Sequence, residues 1–245
     1  MGGHTSLNIH VYDSPEKASE AAAMLFAAQV LKKPDSVLGF ATGSTPIPTY
    51  KKLAAWHQAG LLDFSQAISF NLDEYVGLAK DHPCSYHVFM EENLFRHINL
   101  KASYLPDGSA KDLEAECKRY DAAIEKAGGI DLQFLGVGTN GHIGFNEPAD
   151  TFVYGTQIVK LTDSTIASNR RFFNSADEVP REAIALGIGG IMQAKRVVFV
   201  AFGSGKVPAV TAMVKGDIKP QLPASILRLH QNAMVILDKE AAAGL

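Results

Sequence analysis

Three groups of residues in this sequence could do chemistry, and each stands where an apolar run ends. The first is a histidine with a carboxylate five positions on. His142 and Glu147 lie in Phe134-Leu135-Gly136-Val137-Gly138-Thr139-Asn140-Gly141-His142-Ile143-Gly144-Phe145-Asn146-Glu147-Pro148, which continues an apolar run over 132–137. An imidazole held near a carboxylate can act as an acid/base pair. The glycines allow sharp turns and close approach to a ligand, and Asn140 and Asn146 can position their neighbours. A structural histidine in a glycine-rich loop is the plainer alternative.

The second group is Asp73-Glu74, after an apolar run over 67–72. Successive side chains of an extended chain face opposite ways, so only one of the two can serve a given site. Asp73 is the better candidate for a general base, against a helix cap or surface turn. The third group would bind an anion. Thr42, Gly43, Ser44 and Thr45 follow an apolar run over 37–41 and precede a helical stretch over 49–58. Strand, then glycine with hydroxyl residues, then helix offers backbone N–H groups to an anion, unless the turn is merely capped. The spacing fits neither the nucleotide P-loop nor the dinucleotide fingerprint, so a small phosphate such as that of a sugar suits it better. A second turn, Gly203-Ser204-Gly205-Lys206, adds a lysine as a point charge. Adjacent Arg170 and Arg171 read first as a solvated face and second as an anion clamp.

These residues need elements to hold them. Strands are expected over 7–12, 37–41, 67–72, 132–137, 157–161, 197–202 and 233–237. Helices are expected from Ser14 and Pro15 through residue 31, and over 49–58, 85–97, 110–126 and 162–173. Residues 180–193 mix helix formers with Gly187, Gly189 and Gly190. Strands alternating with helices imply an α/β fold with a largely parallel sheet, in one domain over 1–245. Ligands of such sheets bind at the carboxyl ends of the strands.

The totals narrow the function. The chain has 245 residues, 47% hydrophobic and 20% charged, with a formal net charge of −3. That composition suits a globular core and gives no sign of a nucleic-acid or membrane-surface partner. Cys84 and Cys117 have no metal-like spacing. The first 12 residues lack the pattern of a secretory leader, and no apolar run approaches a membrane span. A reducing cytoplasm is the simplest location.

Several stretches together resemble the glucosamine-6-phosphate deaminase (isomerising) family. They are Ala41-Thr42-Gly43-Ser44-Thr45-Pro46, Phe70-Asn71-Leu72-Asp73-Glu74-Tyr75-Val76-Gly77-Leu78, the segment from Gly138 to Pro148, Ser168-Asn169-Arg170-Arg171-Phe172-Phe173, and Gly203-Ser204-Gly205-Lys206. The resemblance implies conversion of glucosamine 6-phosphate and water to fructose 6-phosphate and ammonia, without cofactor or metal. It implies a three-layer α/β/α fold shared with ribose-5-phosphate isomerase and CoA transferases. His142 would open the pyranose ring, oriented by Glu147 and Asn140. Asp73 would move the C2 proton to C1. Thr42, Gly43, Ser44, Thr45, Arg171 and Lys206 would hold the phosphate.

Two departures from the family pattern carry expectations. Many members have aspartate where this chain has Asn140. The amide oxygen is expected to accept from the imidazole N–H and fix its tautomer, leaving Glu147 to supply charge. Longer members bind N-acetylglucosamine 6-phosphate at an allosteric site that uses basic residues, where this chain has Gln157 and Val159. Hyperbolic kinetics without activation, and a monomer, are the corresponding expectations. The rivals are 6-phosphogluconolactonase, which needs no C2 base, and a phosphosugar-binding sensor without catalysis.

Overall fold

The computed structural model of the protein describes residues 7–175 and 177–245. The expectation that the N-terminus is no leader rests partly on residues 1–6, outside that range.

The chain begins with strand β1 (Asn8–Tyr12) and helix α1 (Pro15–Lys32). The Ser14 side chain accepts from the Lys17 amide at 3.3 Å, and Pro15 fills the first helical position, where its missing N–H costs nothing. Strand β2 (Val37–Phe40) and helix α2 (Ile47–Gln58) flank the first glycine turn. Strands β3 (Ile68–Asn71) and β4 (Asp73–Tyr75) are separated by Leu72 alone. Helix α3 (Tyr86–Asn93), capped by Ser85, leads through a 3-10 turn to strand β5 (Ala102–Tyr104). Helix α4 (Leu113–Lys126) and strand β6 (Leu132–Leu135) precede the histidine loop. Strand β7 (Gln157–Lys160) and helix α5 (Asp163–Asn169), capped by Thr162, are followed by a 3-10 turn carrying Arg171. Strand β8 (Glu182–Ala185), helix α6 (Ile188–Gln193), strand β9 (Val197–Ala201), helix α7 (Val207–Lys215) and strand β10 (Ala233–Asp238) complete the described elements.

Seven strands form one parallel sheet in the order β1-β10-β9-β6-β2-β3-β5. Every residue of β2, β6 and β9 is buried, as helices on both faces of a parallel sheet require. On one face Phe40 of β2 and Phe134 of β6 pack with Phe26 of α1 and Tyr50 of α2. The alternation of side chains puts Phe70 of β3 on the other face, edge-on to Tyr120 of α4. The strand order reverses between β2 and β6, and loops from adjacent strands diverge there to open a crevice at their carboxyl ends.

A second, antiparallel sheet, β4-β8-β7, was not expected from the sequence. Residues 182–185, within a stretch read as mixed helix formers, are instead its buried central strand. Strand β5, only 3 residues, was also missed. The helices expected over 85–97 and 162–173 each end early in a 3-10 turn. A satellite core of Tyr75, Phe145, Leu161, Ile166, Phe173, Val179, Ala183 and Ala185 lies around this small sheet.

The starts of β2 and β6 are tied by Asp131, 4% exposed, which accepts from Lys33 at 2.6 Å, Lys195 at 2.7 Å and the Val37 amide at 2.8 Å. Burial is the largest influence on its proton affinity and raises it, but the lysines and amide together outweigh burial and hold the carboxyl below its ordinary range. A carboxyl depressed on folding adds stability above its unfolded value and loses it as pH falls through the native one. Asp131→Asn is expected to cost about 1–3 kcal/mol in urea denaturation at pH 7, with the gap to wild type closing below about pH 4.

Candidate active site

A cleft of about 540 Å³ opens at the carboxyl ends of β9, β6, β2 and β3. Of the residues singled out in the sequence, Thr42, Gly43, Ser44, Thr45, Asp73, His142, Arg171 and Lys206 all line it. Asn140 and Glu147 do not; they stand behind His142.

Asp73 is the first residue of β4 and is 6% exposed. Glu74 points away from the cleft, as strand alternation demands, and Tyr75 points back into it. Among the described residues no hydrogen bond reaches the Asp73 carboxyl, while the buried tyrosines 50, 75 and 120 and the partly buried Tyr86 are close enough to interact with its charge. Desolvation, with a smaller contribution from the negative charge of Glu74, pushes its pKa up to about 8. A carboxyl with a proton affinity near operating pH is suited to remove a proton from carbon and return it.

The His142 loop is built around a close approach. A Cβ on Gly138 would overlap the imidazole, so glycine is what lets the ring lie against the backbone. The Nδ1 of His142 faces the Glu147 carboxylate at 3.4 Å and the Thr165 hydroxyl at 3.3 Å. Desolvation is the largest influence on Glu147 and raises its pKa; hydrogen bonding and attraction from His142, then Thr165 and Asn140, more than reverse this, and the carboxyl sits below its ordinary value. Asn140 corrects the expectation drawn from its amide. Its oxygen accepts from the backbone N–H of His142 at 3.2 Å, and its NH2 donates to Glu147 at 2.6 Å. It therefore braces the carboxylate and the loop, and does not touch the imidazole's N–H.

Beyond the histidine, Phe145 has φ 51°, a left-handed conformation that is costly for an aromatic residue. Asn146 holds it there, donating from its amide to the carbonyls of Ile143, Gly144 and Leu186 at 2.9–3.1 Å. Gln157 of β7 donates to the Asn146 oxygen at 3.2 Å, so the small sheet braces the loop.

The anion-binding candidates also converge. Gly43 has φ 91°, and the amides of Gly43, Ser44 and Thr45 donate to no described group. The Tyr50 hydroxyl fixes the start of this turn, donating to the Ala41 carbonyl at 2.6 Å and accepting from the Ala41 amide at 3.1 Å. Arg171 reaches Ser44 Oγ at 3.5 Å with its guanidinium 4.7 Å from the Phe172 ring, so it belongs to the cleft. Lys206 donates to the Val137 carbonyl at 2.6 Å, and its turn is held by Asp238, which accepts from the Gly203 amide at 3.0 Å. Desolvation, then repulsion from Arg171, lowers the Lys206 pKa. Two cations that repel one another, with no ion pair to a described carboxylate, make a receptive anion site.

Sequence reasoning passed over Tyr75, Tyr86 and Thr165. The aromatics at helical spacing were read as a packing face, and the Tyr86 ring does stack on Phe145 at 5.9 Å. Its hydroxyl, however, interacts with those of Tyr75 and Thr42 inside the cleft. Thr165 carried no signal beyond following the cap residue Thr162 by three. Among the described residues no cluster of three or more His, Cys, Asp or Glu is placed to hold a metal, and no helix is long and apolar enough to cross a membrane.

The chain is similar to known proteins. The chain is 52% identical over 230 residues to a glucosamine-6-phosphate deaminase of Thermoanaerobacter sp. (strain X514), covering 93% of this chain and 91% of that protein. It superposes on a solved monomeric glucosamine-6-phosphate deaminase with a TM-score of 0.94 at 41% identity, over 97% of this chain and 100% of the other. A 6-phosphogluconolactonase from Thermotoga maritima shares the fold, with a TM-score of 0.72 at 20% identity over 95% of this chain and 100% of that one. The family model for glucosamine-6-phosphate isomerases/6-phosphogluconolactonase matches residues 13–236, and the chain belongs to that family.

Proposed function

We propose that the protein converts glucosamine 6-phosphate and water to fructose 6-phosphate and ammonia. The observation that carries this reading is Asp73, a largely buried carboxyl with its pKa pushed up to about 8, lining the same cleft as His142 and an uncompensated cationic turn. The sugar's phosphate would sit against the free amides of Gly43, Ser44 and Thr45, between Arg171 and Lys206. Binding there, remote from the reacting carbons, orients the sugar.

His142 would take the proton of the C1 hydroxyl and supply one to the ring oxygen, opening the pyranose to an aldehyde. Glu147 favours the imidazolium that forms in passing, and Asn140 keeps Glu147 in place. The aldehyde makes the C2 proton acidic. Asp73 would remove it, giving an enolamine, and return it at C1. The resulting C2 imine adds water and releases ammonia, leaving the ketose. Lactone hydrolysis removes no proton from carbon and gives no use for Asp73, which ranks the lactonase reading second.

Regulation and assembly follow the same logic. Gln157 is engaged with Asn146, and Val159 packs against the satellite core, so neither position offers a cation to an effector. Kinetics without allosteric activation are the inference, and the likeness to a solved monomeric glucosamine-6-phosphate deaminase supports a monomer.

Purified enzyme should release ammonia and fructose 6-phosphate in equal amounts, and Asp73→Asn should lower kcat by about 10²–10⁴. The same substitution should raise stability at pH 8. A carboxyl that is protonated when folded and ionised when unfolded loses stability as pH rises from about 4 to about 8, a penalty on the order of a few kcal/mol that the amide lacks. Calorimetry showing no gain in Tm, or coupled assays showing full activity, would remove Asp73 from this role. Lys206→Ala should lower kcat/KM by about 10–100-fold, losing one charge-assisted contact, and weaken competitive inhibition by inorganic phosphate. Rate curves should be hyperbolic and unchanged by N-acetylglucosamine 6-phosphate; sigmoidal curves made hyperbolic by that compound would overturn the regulatory inference.

A further inference from the structure

The residue beside Asp73 has no part in the chemistry just described, yet it is more completely buried. Glu74 is 2% exposed and does not line the cleft. One carboxylate oxygen accepts from the amides of Tyr75 at 2.9 Å and Tyr86 at 3.0 Å. The other accepts from the amide of His87 at 3.1 Å and from its Nδ1 at 2.9 Å. A carboxylate buried this deeply is tolerable only when donors surround it, and here nearly all come from one place, the first turn of α3. Ser85 completes that turn by accepting from the Val88 amide at 3.1 Å.

We propose that Glu74 is a positioning residue for the reaction, clamping the first turn of α3, and with it Tyr86, to the strand that carries Asp73. The proposal rests on the deaminase reading of the cleft. Tyr86 is the link to the rest of the site. Its ring lies 4.8 Å from that of Tyr75 and 5.9 Å from that of Phe145, and Phe145 in turn meets His142 edge-on at 6.1 Å. Its hydroxyl interacts with Thr42 at the edge of the anion turn. One buried carboxylate thus fixes the distance between the C2 base, the ring-opening histidine and the phosphate end of the cleft.

Glu74 has a second consequence through its charge. Asp73 is faced by Tyr50 from α2, Tyr86 from α3, Tyr120 from α4 and Tyr75 from its own strand, all neutral, and by the negative charge of Glu74. On its far side Glu74 meets His87, which lies near Asp107, itself near Lys80. The negative charge of Glu74 therefore adds to burial in keeping a proton on Asp73 to higher pH.

Two variants separate the clamp from the charge. Glu74→Gln removes the charge and sets an NH2 against one of the two donor pairs, so its kcat/KM falls as well, and the position of its acid limb is what reads the charge. The acid limb of its kcat/KM profile should move to lower pH, by on the order of one unit. Glu74→Asp keeps the charge and shortens the reach to α3. Its acid limb should stay near that of wild type while kcat/KM falls by about tenfold or more. The substrate's own titrations are common to all three proteins, so the comparison cancels them, and circular dichroism with Tm confirms folding. A folded Glu74→Gln whose acid limb coincides with wild type, or a folded Glu74→Asp with undiminished kcat/KM, overturns the proposal. If wild type itself releases no ammonia, the deaminase reading fails instead, and the two failures are distinct.

Discussion

Keeping a carboxyl group largely buried and without a hydrogen-bond donor at the mouth of a parallel sheet is the constraint on which the rest of this structure depends. Asp73 has no hydrogen-bond donor among the described residues, and its immediate surroundings are tyrosine rings and a like charge. In water such a group would be ionised and a weak base; here it holds its proton to about pH 8. The arrangement is costly, and the surrounding architecture offsets the cost. Strand β4 pairs with β8, packing aligns the aromatic wall, and Glu74 ties the first turn of α3 to the same strand.

The site's three tasks are separated in space and share no titrating group. Anion binding uses uncharged amides and two cations without acidic partners. Ring opening uses an imidazole with a carboxylate behind it. Carbon–proton transfer uses a carboxyl without a partner. The anion turns follow β2 and β9, with Arg171 added from the 3-10 turn after α5; His142 follows β6; and Asp73 opens β4, one residue beyond β3. The reversal of strand order between β2 and β6 gives these segments room to diverge around a ligand. The second sheet braces two of them. Its strand β4 carries Asp73, and β7 reaches the histidine loop through Gln157 and Asn146.

What could be read from the sequence was local. Apolar runs that end in glycine and hydroxyl residues mark strand ends, and placed Thr42, Asp73, His142 and Lys206 at one rim of the sheet before any coordinates. Alternation allowed only one of Asp73 and Glu74 to face a given site and did not by itself decide which. What escaped was set by distant pairing. Residues 182–185 have the composition of a helix, and become a strand because β4 and β7 flank them. Glu74 resembled a surface acid because its partners lie 12 and 13 positions on, at no regular period. Asn140 was placed correctly beside His142 but given the wrong partner, since sequence does not reveal that its amide meets the backbone N–H of His142 and the Glu147 carboxylate instead of the ring. Tyr86 was seen as packing, which it is, while its hydroxyl went unnoticed.

The most direct test is an infrared titration of the Asp73 carboxyl, taken as the difference between wild type and Asp73→Asn over pH 5–9. The account expects a protonated carboxyl band to persist through neutrality and disappear near pH 8. A carboxyl already ionised at pH 5, with its band absent throughout, would mean that Asp73 is solvated or paired, and the central argument from burial would be contradicted.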